Sequence, residues 1–208
     1  MKAILIAIVA VVTLFAPVRA DSPVIITAFG DSLAAGYGLK KNEGFVPVLQ
    51  AHLREQGLPV KVINAAIAGD TTSDALARVD WMLEDKPDIV IVEFGANDMF
   101  RGIPIALTQK NFDAIIRRIQ QTGAHVLLAG MFAPNNYGEK YKSNFKDLYK
   151  KLSVKYDVPL YPFFLFGVAL QQALNLPDGI HPNADGVKII VNNIAPQVAG
   201  MVRNLRQE

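Results

Sequence analysis

Val24-Ile25-Ile26-Thr27-Ala28-Phe29, followed at once by Gly30-Asp31-Ser32-Leu33, is the stretch that decides how this chain folds. The first six residues are apolar or β-branched with no polar alternation. The run is too short for a helix and stops at a glycine and small polar residues. Such a run reads as a strand buried on both faces. The same phrase recurs at residues 60–64, 89–94, 125–131 and 158–164. Between these runs the spacing turns helical. Residues 45–55 form one such segment, closed by Gly57, and residues 71–84 a second, opened by Thr71, Thr72 and Ser73 as capping side chains. Residues 108–121 carry Phe112, Ile115, Ile116 and Ile119 along one face, and Gly123 ends them. Residues 138–156 form a basic helix with Tyr141, Phe145, Leu148, Tyr149 and Leu152 inward, and residues 187–205 the last helix. Strand and helix alternating in this way require crossover connections. The expected fold class is α/β: a three-layer α/β/α sandwich on a five-stranded parallel sheet. Pro159 and Pro162 assign the fifth strand to an edge.

The chain has 208 residues, enough for one domain with a sizeable core, and 51% of them are apolar. Its first twenty residues differ from the rest. Lys2 precedes an apolar run over 3–17, then Val18-Arg19-Ala20 and a polar Asp21-Ser22. A basic start, a short apolar segment and a small residue before a polar stretch describe a secretory signal peptide over 1–20. That leaves a single domain over 21–208, exported across the inner membrane to the periplasm or beyond. The apolar run is short for a membrane span, which takes roughly 20 residues; the alternative is an uncleaved anchor. No stable membrane span is expected after cleavage.

Of the 21 basic residues, Lys2 and Arg19 fall in the leader, so the remainder carries 19 basic against 19 acidic side chains. A near-neutral chain has no basic footprint for phosphate, so nucleic acid is not an expected partner. The absence of cysteine removes disulfides, thiolate metal sites and cysteine nucleophiles together. The expected state is a monomer acting on a small molecule, with no cofactor and no metal.

In sheets of this kind ligands bind beyond the carboxyl ends of the strands, near the switch in strand order. After the first strand comes Gly30-Asp31-Ser32-Leu33, and after the second Ala68-Gly69-Asp70. Gly95-Ala96-Asn97-Asp98 follows the third, and Asp178-Gly179-Ile180-His181-Pro182 lies beyond the fifth. Taken singly, each has a plainer reading. Ser32 caps a helix, Gly69 makes a tight turn, Asn97 bonds its own backbone, and His181 is a loop residue before proline. Taken together, they bring a hydroxyl, a glycine N–H, an amide and an Asp/His pair to one edge. Those are the parts of acyl transfer: nucleophile, oxyanion donors, base and base-orienting carboxylate.

These four segments resemble the sequence blocks of the SGNH hydrolases, also called GDSL esterases or lipases, over nearly the whole exported chain. In spacing and neighbours they are similar to the secreted bacterial thioesterase I, lysophospholipase and arylesterase branch, as are Leu76-Ala77-Arg78 and Pro134-Asn135-Asn136-Tyr137-Gly138. One departure is Ala34-Ala35, where small hydroxyl residues are frequent. The resemblance implies a flavodoxin-like SGNH hydrolase sheet with strand order 2-1-3-4-5. It assigns the oxyanion hole to the backbone N–H groups of Ser32 and Gly69 and the side-chain amide of Asn97.

A serine hydroxyl needs a base to accept its proton as it attacks. His181 is the candidate, because His52 sits in a helical pattern and His125 begins a strand. Asp178, three residues earlier in one tight loop, can hold the other ring nitrogen. The expected reaction is hydrolysis of aryl or fatty-acyl esters, acyl-thioesters or lysophospholipids through an acyl-enzyme on Ser32. Leu33, Phe100, Pro134 and Tyr137 are candidates for the acyl pocket by position. Asp31, Asp70 and Asp98 read as structural turn residues rather than metal ligands. Three rivals stay open. One is a carbohydrate acetyl esterase on the same frame. The second is a Mg-dependent phosphoacceptor domain built on Asp31 and Asp98. The third is a binding protein with a dead site.

Overall fold

The computed structural model describes residues 22–207. The signal peptide read over 1–20 lies outside the described residues. In chain order the elements are β1 (Val24–Gly30), α1 (Ser32–Ala35), α2 (Phe45–Glu55), β2 (Val60–Asn64), α3 (Thr72–Leu83), β3 (Ile89–Glu93), α4 (Ala96–Phe100), α5 (Ile105–Gln121), β4 (His125–Ala129), α6 (Glu139–Tyr156), β5 (Leu160–Tyr161) and α7 (Ala184–Leu205). The five strands pair in parallel in the order β2-β1-β3-β4-β5. The order reverses between β1 and β3, so the crevice for a ligand opens there.

The sheet is held by burial on both faces. Every residue of β3 is buried, and in β1 all but Ile25 are. On one side α3, α5 and α6 lie side by side; on the other α2 packs against α7. Phe112, Ile115, Ile116 and Ile119 of α5, and Phe145, Leu148, Tyr149 and Leu152 of α6, are buried as their spacing predicts. A fully buried side chain of this size contributes about 1.5–3 kcal/mol, so these two stripes alone outweigh any surface ion pair.

The differences from expectation have local causes. The helix read over 108–121 starts three residues earlier, because Pro104 serves as cap and its carbonyl accepts from Leu107 and Thr108. The last helix starts at Ala184, where the Asn183 side chain caps the N–H groups of Asp185 and Gly186. The fourth strand ends at Ala129, since Gly130 turns tightly against the Pro162 carbonyl, 2.4 Å from where a Cβ would stand. The fifth strand is two residues long rather than seven. Pro159 and Pro162 flank it and offer no N–H to a ladder. The helices α1 and α4, of four and five residues, are too short to show a period. No helix among the described residues is long and apolar enough to cross a membrane.

Candidate active site

Gly30 ends β1, and Asp31 turns the chain into α1 by accepting the Leu33 N–H on Oδ1 at 3.0 Å. That cap sets Ser32 at the first helical position, half-buried, with its hydroxyl at the sheet edge. From the far end of the chain, the loop before α7 brings His181 to it. His181 Nε2 lies 2.9 Å from Ser32 Oγ. Asp178 organises that loop. Its Oδ1 accepts the N–H groups of Ile180 and His181 at 2.9 and 3.0 Å, and its Oδ2 lies 2.8 Å from His181 Nδ1. The His181 backbone N–H, the Ile180 N–H and the His181 ring hold the Asp178 carboxyl down to about 2, so it is a carboxylate across the neutral range. With a proton on Nδ1 facing that anion, Nε2 is left as an acceptor toward Ser32. Tyr37 lies against the imidazole, ring centroids 4.5 Å apart.

Gly69 follows β2 with φ +88, and its carbonyl accepts from Arg101 Nη2 at 2.7 Å. The backbone N–H groups of Ser32 and Gly69 have no protein acceptor among the described residues. The Asn97 amide differs: Nδ2 donates to Asp31 Oδ2 and to the Asp70 carbonyl, both at 3.0 Å. Both of its hydrogens are therefore engaged within the protein. An incoming anion must share one of them.

Asn97 is delivered by Gly95, whose φ of +112 opens α4. A Cβ there would stand 2.2 Å from the Tyr149 hydroxyl, which donates to the Phe94 carbonyl at 2.9 Å. Gly95→Ala is expected to lose about 2–3 kcal/mol of stability in urea denaturation, from positive-φ strain and overpacking combined. Tyr149→Phe should restore only the packing share of that loss. A Gly95→Ala variant as stable as wild type would show that the close approach is not needed.

Two buried carboxyls lie beneath the nucleophile. Glu93 at the end of β3 is fully buried. Its Oε2 is 3.4 Å from the Asp31 backbone nitrogen, and its Oε1 has no hydrogen-bond partner among the described residues. Burial, reinforced by the neighbouring Asp31 charge, pushes Glu93 well above the usual carboxyl range. Burial also raises Asp31, to about 6, against the opposing pull of the Leu33 N–H, the His181 charge and the Asn97 amide. Glu93 was not singled out in the sequence, where it is one acid in an apolar strand. Arg78 is a second support. Its guanidinium bonds Asp70 at 2.6 Å and the carbonyls of Ala65 and Gly30 at 2.6 and 3.3 Å, lying 4.6 Å from the Phe29 ring centre. It ties the ends of β1 and β2 to the turn that carries Gly69.

The three aspartates do not share an ion site. Asp98 is buried and taken up by the Thr72 N–H and hydroxyl and by Thr108 Oγ1. Asp70 is paired with Arg78, an ion pair rather than a backbone turn. Among the described residues no cluster of three or more His, Cys, Asp or Glu side chains could hold a metal ion. A phosphoacceptor reading needs Asp31 and Asp98 together at the surface, and both are buried.

A cavity of about 820 Å³ runs from Ser32, His181 and Asn97 across the sheet edge. Leu33, Phe100 and Pro134 line it, as their positions suggested; Tyr137 does not, lying instead against Tyr141 at 5.3 Å between ring centres. Most of the wall is apolar: Met99, Met131, Phe132, Phe163, Leu165 and Ile180. Phe132 and Phe163 stack at 4.5 Å, one following β4 and the other β5.

Comparison with known proteins agrees with this geometry. The profile of the GDSL-like lipase/acylhydrolase family matches residues 28–189. The chain is 38% identical over 168 residues to esterase TesA of Pseudomonas aeruginosa, covering 80% of this chain and 84% of that one. It is 34% identical over 187 residues to thioesterase 1/protease 1/lysophospholipase L1 of Escherichia coli K12, covering 89% and 88%. Among solved structures, the psychrotrophic esterase EstA from Pseudoalteromonas sp., inhibited by monoethylphosphonate, superposes with a TM-score of 0.82. That match has 32% identity and covers 86% of this chain and 99% of that one.

Proposed function

We propose, from the premise that this chain belongs to the GDSL-like lipase/acylhydrolase family, that Ser32 attacks acyl esters and thioesters and carries the acyl group as a covalent intermediate. The chain is an esterase, as its relatives are. The observation that carries the residue assignment is the relay Asp178–His181–Ser32: a 2.8 Å contact within one loop, and a 2.9 Å contact between groups 149 residues apart in sequence.

His181 Nε2 takes the Ser32 proton as the Oγ–carbon bond forms. The tetrahedral intermediate then places its negative oxygen among the Ser32 N–H, the Gly69 N–H and the Asn97 amide. Collapse breaks the bond to the leaving alcohol or thiol, which receives the proton from His181. Water, deprotonated by the same imidazole, releases the acid and frees Ser32. Asp178 keeps the ring in the tautomer these steps need and steadies the imidazolium.

The cavity wall favours an apolar acyl group over a sugar ester. An acetyl group would leave most of 820 Å³ unfilled, and the wall offers few hydroxyl partners. The leader read over 1–20 supports export to the periplasm, and the near-neutral remainder, with no basic footprint for phosphate, supports a small-molecule substrate rather than nucleic acid.

A series of p-nitrophenyl esters from acetyl to palmitoyl, with one acyl-thioester, tests the reading. Expected are hydrolysis of both classes, a preference for acyl chains longer than acetyl, and a phosphonate adduct on the peptide containing Ser32. A pure protein inert toward the whole series, or a phosphonate that leaves Ser32 unmodified, would overturn it.

A further inference from the structure

Among the described residues, three other than glycine hold a positive φ: Lys86 at 50, Asp157 at 49 and Leu170 at 64. The first two are polar and sit where helices end; Lys86 donates its N–H to Leu83, and Asp157 caps α6. Leu170 is the exception. A branched apolar side chain is poorly suited to the left-handed region, which asparagine or glycine occupies far more readily. It is also 90% exposed, more than any other large apolar side chain described. Its conformation and its exposure are both unfavourable, and no packing within the chain offsets them.

The surrounding chain enforces this arrangement. Buried Asn175 donates through Nδ2 to the carbonyls of Val168 and Gln171, at 2.9 and 2.8 Å, bracketing Leu170 on both sides. The Gln171 N–H returns to the Val168 carbonyl at 3.1 Å, and Val168 itself is fully buried. The turn is therefore clamped, and Leu170 is presented rather than left loose. Strain that the surroundings over-determine in this way is a mark of function. The site is the rim of the cavity that holds Ser32 and His181, where Phe132 and Ile180 are also part-exposed.

We propose that Leu170 is a specificity-determining residue, clamped at the cavity rim to cover the distal carbons of a long acyl chain bound to Ser32. The inference rests on the serine-esterase reading above. Short acyl groups end inside the cavity and do not reach the rim. Long ones extend to Leu170, and the contact removes apolar surface of both partners from water.

Leu170→Asn tests this, since asparagine keeps the left-handed turn and removes the apolar reach. With esters held below their aggregating concentrations, kcat/KM for a decanoyl or longer ester is expected to fall about ten-fold. The butyryl value should stay within about two-fold of wild type, with Tm equal or higher. Leu170→Met, which keeps an apolar side chain, should retain most of the long-chain preference. An unchanged chain-length profile in Leu170→Asn, or equal losses on both esters, would overturn the proposal. Wild-type butyrate hydrolysis and phosphonate labelling in the same preparation separate the two readings. If they fail, the serine-esterase reading fails; if they hold and the profile is unmoved, only the role of Leu170 does.

Discussion

Ser32→Ala is expected to lower kcat/KM on p-nitrophenyl butyrate by on the order of 10⁶, with no change in fold, because nucleophile and base act as one unit. His181→Ala should lose about as much, and the double variant little more than either alone. A pair of independent contributors would instead multiply their losses. Asp178→Asn discriminates further. Asp178 Oδ1 already serves the Ile180 and His181 N–H groups, so an asparagine can keep those two bonds. Its NH₂ would then face His181 Nδ1 in place of Oδ2. A donor there forces the ring proton onto Nε2, which can no longer accept from Ser32. A loss of about 10⁴ in kcat is expected with the loop intact. Steady-state kinetics with circular dichroism as the fold control would check all four variants. Full activity in Asp178→Asn would remove tautomer control from the mechanism.

Much of this site was legible because its parts lie in short local segments at one end of successive strands. The apolar runs at 24–29 and 89–94 announce buried parallel strands, and a parallel sheet forces their following loops onto one edge. Ser32, Gly69 and Asn97 could be placed together for that reason. The strand order 2-1-3-4-5 came from resemblance, not from periodicity, and it stands in the fold. Helix bodies were readable from their stripes, as were the start at Phe45 and the cap at Thr71; the starts of α5 and α7 were not, since Pro104 and Asn183 act as caps from outside the apolar pattern.

What stayed hidden depends on contacts between elements that no local pattern encodes. Glu93 reads as a stray acid in an apolar strand, and only the fold shows it stacked against Asp31 beneath the nucleophile. Tyr37 sits in a glycine-flanked loop with nothing in its neighbours to announce His181. Position alone suggested Tyr137 as pocket lining, but the turn at Asn135–Tyr137 points its ring to Tyr141 and gives the wall to Asn135 and Asn136. Conversely Phe132 and Phe163 meet across the ends of β4 and β5, a pairing that no local pattern encodes. Leu170 could not have been found without its φ, since an exposed leucine in a loop is ordinary.

The amide of Asn97 is where electrostatics and geometry are most tightly joined. Asn97→Ala is expected to lower kcat by a factor on the order of 10²–10³, the cost of one oxyanion donor, with KM changed far less. The ground-state carbonyl carries little charge for the amide to meet. Yet Nδ2 is already bonded to Asp31 Oδ2 and the Asp70 carbonyl. A donor held in place before the reaction needs no reorganisation when charge develops, which is the advantage of a preorganised site. Asp31 can hold it only as an acceptor. Its Oδ1 is committed to the Leu33 N–H, so Oδ2 is the oxygen left to face the amide. Asp31→Asn would keep the Leu33 bond through Oδ1 and turn an NH₂ toward the NH₂ of Asn97. The amide should swing away, and kcat should fall by a smaller factor than in Asn97→Ala. The double variant should then match Asn97→Ala alone, because the positioning residue has nothing left to position. Multiplying losses in that cycle would show that Asp31 acts on the reaction by a route that bypasses Asn97.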